Sequence, residues 1–312
     1  MGPDHQTTWK VEGLRIELPA GVATVIGALP FTATDVSTFM LEELPQLPGA
    51  PAVELDSTHL GVASVEAEVR AGLIALLSEL RGRTEPIVMS LTGPVTVALD
   101  LRRQGIDDEA ASDRAVGAVS EMARWLLAVA RRWTPDAPVL LFLTEPALAK
   151  SMHPTFPLRP AEIERLVTSV VDDVDTDATV GVQVSGRADW SLLLRTGIGA
   201  LAAPVGAHLE SSAADIGRFL ESGGIMAWGA VPVDEPLGVS PERLWKRLSA
   251  MWCELTQRGV DPMLLRERSI ITPAGGLGAF GAGQIDRVVE LTRELGERVL
   301  RQTLGVRLSI GA

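Results

Sequence analysis

The chain has few of the residues that mark a redox, disulfide-linked or membrane protein. Its 312 residues include one cysteine, Cys253, four histidines and no tyrosine. A single cysteine excludes an internal disulfide and fits a reducing compartment, so we expect a cytoplasmic protein. No apolar run approaches the roughly 18 residues that cross a membrane, and Met1–Lys10 is too polar for a signal-peptide core. The sequence therefore predicts no membrane association.

Basic charge is also scarce. Lysine and arginine total 28 against 40 acidic residues, for a formal net charge of −12. Most of such a surface repels a phosphate backbone, so we expect no nucleic-acid partner. A small-molecule ligand is the expected partner, and a homodimer or a complex with another protein stays open.

The chain does contain a regular alternation of short apolar runs and amphipathic stretches of helix length. The eight runs are Thr24–Gly27, Ala52–Leu55, Ile87–Leu91, Val139–Leu143, Thr179–Val184, Ala200–Ala203, Ile225–Trp228 and Ser269–Ile271. This alternation predicts a parallel sheet covered by helices. Eight repeats in one chain of this length predict a single (β/α)8 TIM barrel over residues 1–312, with a short N-terminal β extension over residues 1–22.

Helix signals follow most of the runs. The stretch Asp108–Trp133 carries apolar residues at three- and four-residue spacing, and Pro241–Arg258 begins after a capping Ser240. No segment has the composition of a linker, which indicates one domain. In a barrel of this kind, chemistry takes place at the carboxyl ends of the strands, so the residues just after each run are the functional candidates.

Polar side chains after the runs supply the candidate residues. The catalytic candidates are Glu145, Asp56 and His208, and the ligand-binding candidates are Gln183, Ser185, Thr92, Thr144, Trp228 and Asp234. His59, His153 and His208 follow the second, fourth and sixth runs, each with acidic residues nearby. Such groups act as acid and base, hold a metal ion, or simply face solvent, and the sequence leaves these alternatives open.

Three of the candidates have specific alternatives. Glu145 directly follows a buried run, where barrels place catalytic groups, but it can also cap or brace the loop. Gln183 and Ser185 alternate with valines on one strand face, so they hydrogen-bond either a ligand or each other. Trp228 lies close to a strand end, where an indole can stack on a planar ligand such as a pterin.

Five segments resemble the catalytic barrel of cobalamin-independent methionine synthase, within the superfamily that also includes uroporphyrinogen decarboxylase. They are Ile26–Pro30 (like "IGSFP"), Ser90–Thr96 ("LTGPVT"), Glu145–Leu148 ("DEPAL"), Val182–Gly186 ("HxC") and Ile271–Gly278 ("TPDCGLG"). They occur in the family's order and spacing across nearly the whole barrel. The resemblance implies a methyl- or one-carbon transferase, with a folate or corrinoid as the carrier.

The resemblance also implies a zinc ion that binds homocysteine as its thiolate, and here the sequence departs from the family. Gln183, Ser185 and Gly275 stand where the family has its histidine and two cysteines. A neutral amide and a hydroxyl are poor zinc ligands, so we expect no zinc at this site. Thr144 stands where the resemblance places an aspartate that pairs with the substrate amine, and Ala28 where it places a serine.

Three functional hypotheses follow. The first is a divergent methyl- or one-carbon transferase relative that works without the family zinc. The second is a catalytically inactive barrel that binds a small ligand or a partner protein. The third, a decarboxylase relative, is disfavoured because the predicted mouth has no arginine cluster, Arg159 and Arg187 being the nearest candidates.

Overall fold

The computed structural model describes residue 16 and residues 18–29, 33–174, 176–233 and 239–310. Its helices and strands alternate along the chain. In order they are β1 (Val22–Ala23), α1 (Ala33–Glu43), α2 (Ala67–Glu79), β2 (Ile87–Thr92), α3 (Pro94–Arg103), α4 (Asp108–Trp133), β3 (Val139–Thr144), α5 (Pro160–Val174), β4 (Thr179–Gln183), α6 (Trp190–Leu194), β5 (Ala200–Pro204), α7 (Ala213–Glu221), β6 (Ile225–Val231), α8 (Pro241–Gln257), α9 (Leu264–Glu267), β7 (Ser269–Pro273) and α10 (Ala282–Ile310). Short 3-10 turns lie at Val62–Ser64, Pro146–Lys150 and Leu209–Ser212.

The strands form one parallel sheet in the order β1-β7-β6-β5-β4-β3-β2. One face packs against the helices in the larger hydrophobic core, to which α4 contributes residues at helical spacing such as Val119, Met122 and Leu126. The other face forms a second, smaller cluster that includes Val22 of β1 and Val88 of β2. Because both edge strands contribute to this inner cluster, the sheet curls around it as in a TIM-like α/β barrel.

The described residues contain seven strands, whereas the sequence predicts eight. The predicted strand Ala52–Leu55 is replaced by two isolated bridges to β2, at Gly49 and Val53. The amide of Ala50 donates to the Val88 carbonyl at 2.8 Å, and the amide of Val53 donates to the Ser90 carbonyl at 2.9 Å. The prolines at positions 48 and 51 lack an N–H, which interrupts a continuous ladder. This segment therefore runs beside β2 without forming a regular strand.

The predicted N-terminal extension falls mostly outside the described residues. Ile16 is buried in the inner cluster, and Leu18 packs against it. No strand precedes β1 among the described residues. Within the same residues, no helix is both long and apolar enough to span a membrane.

Candidate functional site at the sheet mouth

A cavity of about 510 Å³ opens at the carboxyl ends of the strands. Turns after β1, β3, β4 and β7 surround it, and this volume is in the range of small-molecule sites. Its lining consists of Gly27, Ala28, Leu29, Glu54, Thr144, Glu145, Pro146, Gln183, Ser185, Gly276, Gly278 and Ala279. We call this space the mouth cavity. Three sequence candidates for ligand binding therefore share one wall of it: Thr144, Gln183 and Ser185.

Gln183 is the last residue of β4 and presents an amide to the mouth cavity. The residue is only 6% exposed. Its Nε2 donates one long hydrogen bond of 3.4 Å to the Ile26 carbonyl. Its Oε1 accepts no hydrogen bond from the described residues and lies 3.5 Å from where a Cβ on Gly27 would stand. Because Gln183 lines the open mouth cavity, this oxygen is available to accept a hydrogen bond from water or from a ligand.

Ser185 and Gly275 are neighbours across the mouth. A Cβ built on Gly275 would lie 3.4 Å from the Ser185 Cβ. Gln183 thus supplies an amide and Ser185 a hydroxyl, whereas Gly275 has no side chain. These donors do not suit zinc, which in proteins takes thiolate, imidazole and carboxylate ligands. Across the residues that the structure describes, no three His, Cys, Asp or Glu side chains cluster in a way that could hold a metal ion.

Glycines allow the turns after β1 and β7 to meet at the edge of the cavity. Gly27 has a φ of 96°, and a Cβ there would come within 3.3 Å of the Gly276 Cα. The amide of Leu277 donates to the Ala28 carbonyl at 2.8 Å, which joins the two turns. The amide of Gly27 in turn donates to Ser90 Oγ of β2 at 3.0 Å.

The two threonine candidates differ in their surroundings. Thr92 is buried, and its Oγ1 accepts a 2.9 Å hydrogen bond from the amide of Leu55. This contact holds the irregular segment against the end of β2. Thr144 is half-buried, lines the mouth cavity, and donates through Oγ1 to the Leu91 carbonyl at 3.3 Å. The geometry favours a structural role for Thr92 and leaves Thr144 as a cavity residue.

The Glu145 side chain is fully buried and binds the start of α3. Its carboxylate accepts hydrogen bonds from the amides of Val95 at 2.8 Å and Thr96 at 2.7 Å, and from Thr96 Oγ1 at 2.6 Å. Burial raises the pKa of this carboxyl group from 4.5 to about 7, although the three hydrogen bonds oppose the shift. Because both oxygens are engaged, the geometry favours the bracing role over direct contact with a substrate.

Asp56 and His59 form an exposed turn beside a second cavity. Asp56 Oδ1 accepts hydrogen bonds from the amides of Thr58 at 2.7 Å and His59 at 2.8 Å. The hydroxyl and amide of Thr58, followed by His59, hold the pKa of Asp56 well below its usual range. These contacts are typical of a capped turn. The second cavity, which we call the acidic cavity, has a volume of about 390 Å³ and is lined by Asp56, His59, Glu54, Glu66 and Glu68 among others.

The three histidines of the described residues, His59, His153 and His208, lie in separate turns. His208 is exposed, has a φ of 59°, and pairs with Glu210 at 3.2 Å. His153 is exposed and bonds Thr155 Oγ1 through Nδ1 at 2.8 Å. Neither lines the mouth cavity. The structure therefore supplies no contact that would make His208 an acid or a base for a ligand held there.

Trp228 and Asp234 complete the predicted set. The Trp228 ring is fully buried, and its Nε1 donates to Ser269 Oγ at 2.8 Å. It packs edge-on against Trp252 of α8 with 6.0 Å between ring centroids, which places it in the core between sheet and helix, away from the mouth cavity. Asp234 lies outside the described residues.

Two polar residues that the sequence did not single out, Glu54 and Thr272, are notable in the structure. Glu54 is exposed and lines both cavities. The sequence feature that could have identified Glu54 is its position two residues before Asp56, in the last part of the second apolar run. Thr272 of β7 is 1% exposed, and its hydroxyl has no partner among the described residues. Nothing in the local sequence distinguishes this threonine from one packed in an ordinary strand.

Comparison with known proteins identifies a fold. No family model matches the chain, and no curated protein matches its sequence. A methyltransferase from Methanosarcina mazei is similar over 90% of this chain and 94% of that chain, at 12% identity and a TM-score of 0.56. A GH30 endoxylanase from Clostridium papyrosolvens C71 is similar over 92% of this chain and 72% of that chain, at 9% identity and a TM-score of 0.49. The similarity to the methyltransferase supports a TIM-like α/β barrel, which diverse enzymes share.

Proposed function

We propose that this protein is a methionine synthase-like barrel that binds a small molecule in the mouth cavity and acts on a methyl or one-carbon group without zinc at Gln183, Ser185 and Gly275. The observation that carries the proposal is that the Gln183 side chain lines the mouth cavity and that its Oε1 accepts no hydrogen bond from the described residues. The resemblance of the strand-end motifs and the fold of the M. mazei methyltransferase support the reaction class by analogy.

The lining side chains define what this site can do. Gln183 accepts a hydrogen bond from the ligand, and the hydroxyl groups of Ser185 and Thr144 orient it. Glu54 is the exposed carboxylate of the lining and is the candidate for proton transfer. Without a metal, a thiol keeps a pKa near 8.5 and stays mostly protonated at neutral pH. We therefore propose that the methyl acceptor is a group other than a zinc-bound thiolate.

A catalytically inactive, ligand-binding barrel is the second candidate, and one observation favours it. Glu145, the carboxylate at the end of β3, is fully buried, and both of its oxygens bind α3. That leaves Glu54 as the one solvent-exposed acidic side chain in the described lining of the mouth cavity. An inactive barrel would bind its ligand in the same cavity and would show no turnover.

A thermal-shift screen of the purified protein with folates, corrinoids, thiols and divalent metals tests the proposal, because a ligand of the native state raises the melting temperature. Ser185→Tyr fills the cavity from its exposed wall, and Ser211→Tyr adds the same ring on an exposed turn elsewhere. We expect a stabilising ligand whose effect is lost in Ser185→Tyr and kept in Ser211→Tyr. A ligand that stabilises both variants equally would place the site elsewhere, and methyl transfer by the purified protein would exclude the inactive barrel.

A further inference from the structure

A third cavity lies beside the mouth cavity, between the end of α3 and the loop that follows β3. Its volume is about 590 Å³, which is within the range of small-molecule sites. We call it the basic groove. Its described lining consists of Leu99, Arg102, Arg103, Pro146, Ala147, Lys150, Phe156 and Pro157. Pro146 also lines the mouth cavity and the other seven residues do not, so the basic groove has walls of its own.

Helical spacing places one apolar and two basic side chains of α3 on the same wall of the basic groove. Leu99, Arg102 and Arg103 occupy positions i, i+3 and i+4, which share one face of a helix. Leu99 is buried, whereas Arg103 is exposed. The two arginines also complement the negative end of the helix dipole, as basic residues in a last turn do. This wall therefore has an apolar base and a cationic rim.

The loop between β3 and α5 forms the opposite wall, and its own turns hold it in place. The amide of His153 donates to the Lys150 carbonyl at 3.0 Å, and the amide of Phe156 donates to the His153 carbonyl at 2.9 Å. The Phe156 side chain packs against the main hydrophobic core. Pro146 and Pro157 restrict the backbone at both ends of the lining segment. A wall that is already ordered lowers the entropic cost of binding a ligand.

The basic groove keeps positive charge after its ion pairs are counted. Arg102 lies 3.3 Å from each of two carboxylates, so its charge is balanced. Arg103 donates through Nη1 to Asp100 at 2.9 Å, and a guanidinium has five N–H groups, which leaves donors for a further anion. Lys150 is exposed and forms no ion pair with any described residue. No acidic side chain is among the described lining residues.

The mouth cavity and the acidic cavity have the opposite character. Acidic side chains line both of them, and their described linings contain no lysine or arginine. The whole chain has a formal net charge of −12, so most of its surface repels anions. Cations at the rim of an apolar groove are therefore a local feature of this protein. They complement an anion that also has an apolar part.

We infer that the basic groove binds a small amphipathic anion, an aromatic or branched hydrocarbon body that carries a carboxylate. The carboxylate accepts charge-assisted hydrogen bonds from Arg103 and Lys150. The hydrocarbon body covers Leu99, Ala147 and Phe156 and removes their apolar surface from water. A singly charged head matches this rim, because one arginine is balanced and the other is shared with Asp100. The inference goes beyond the proposed function, since it requires no ligand in the mouth cavity.

Isothermal titration at low ionic strength tests the inference with 3-phenylpropionate and 4-methylpentanoate as probes. The alcohol 3-phenyl-1-propanol is the neutral control, and propionate is the anion without the larger apolar body. The variant Arg103→Gln/Lys150→Gln removes two cations of the basic groove. The matched variant Arg132→Gln/Lys246→Gln removes the same charge from α4 and α8, where both side chains are exposed and form no ion pair with a described residue.

We expect at least one probe carboxylate to bind, with affinity about tenfold weaker in Arg103→Gln/Lys150→Gln and unchanged in Arg132→Gln/Lys246→Gln. The alcohol and propionate should each bind at least about tenfold more weakly than the probe, because each lacks one of the two interactions. Ser185→Tyr, which fills the mouth cavity, should leave the affinity unchanged.

Three results would overturn the inference. The first is that neither probe carboxylate binds. The second is equal weakening in the two double variants, which indicates a general effect of net charge. The third is binding that is lost in Ser185→Tyr and kept in Arg103→Gln/Lys150→Gln, which places the carboxylate in the mouth cavity. None of the three removes the proposed function, because that proposal depends on ligands whose binding Ser185→Tyr abolishes.

Discussion

The carboxylate of Glu145 and the hydroxyl of Thr96 form a 2.6 Å hydrogen bond that joins the end of β3 to the first turn of α3. The amides of Val95 and Thr96 donate to the same carboxylate. A helix begins with N–H groups that have no partner inside the helix, and a carboxylate there satisfies them and complements the helix dipole. Glu145 supplies this cap from another part of the chain.

Replacement of Glu145 with alanine should lower the free energy of unfolding by about 3 kcal/mol, because it leaves buried amides without an acceptor. Thr96→Val removes one of the three donors and should cost about 1 kcal/mol. Urea denaturation measures both.

Gly93 provides a second check, since a Cβ there would overlap the Glu145 carboxylate. Gly93→Ala should therefore be less damaging in the Glu145→Ala background, and additive effects would contradict the packing described.

The stability of the protein should fall as the pH rises through the titration of Glu145. Its pKa in the folded protein is about 7, above the ordinary 4.5, so the folded state binds more protons than the unfolded state between these values. Its contribution is complete below about pH 4.5 and is lost by about pH 7, a decline of about 3 kcal/mol. Denaturation of wild type and Glu145→Gln from pH 4.5 to 8 measures this difference. Parallel curves would show that Glu145 does not titrate in this range.

Replacement of Trp228 with phenylalanine separates a packing role from ligand stacking. The change removes the hydrogen bond to Ser269 and the edge-on contact with Trp252, so we expect a loss of about 2 kcal/mol in stability. The affinity for a ligand of the mouth cavity should stay the same. A variant of unchanged stability that loses the ligand would mean that the indole reaches the cavity.

Zinc ligands can be introduced at Gln183, Ser185 and Gly275, which have no charged side chain. The triple variant Gln183→His/Ser185→Cys/Gly275→Cys should bind one zinc ion per chain, because the side chains at positions 185 and 275 start 3.4 Å apart and Gln183 lies on the same wall. Native mass spectrometry measures the stoichiometry, with Ser185→Cys alone as the control. A folded triple variant that takes up no zinc would show that these three positions do not converge.

The sequence predicted the sheet well because apolar runs and their order determine it. Seven of the eight runs coincide with or adjoin strands, and the helix expected at Asp108–Trp133 has those bounds. The run Ala52–Leu55 is not a regular strand because flanking prolines remove ladder donors. The bounds of α3 were not predicted, although its Gly93–Pro94 start is a common one, because the helix is short and follows a strand directly.

The site was less predictable, because the sequence gives the position of a polar residue and not its partners. Gln183 and Ser185 were expected to share a strand face, and both line the mouth cavity. Glu145 was equally consistent with catalysis and with bracing until its three donors from α3 were known. Trp228 ends a predicted run, but β6 continues to Val231, and the alternation of side chains along β6 places the indole on the helix side of the sheet. Such contacts join residues far apart in the chain.

The zinc content of the wild-type protein tests the central claim most directly. Elemental analysis by mass spectrometry, after purification without chelators and with zinc in the growth medium, compares wild type with Gln183→Ala. Our account predicts zinc well below one ion per chain in both proteins. One zinc ion per chain in the wild type that disappears in Gln183→Ala would contradict it.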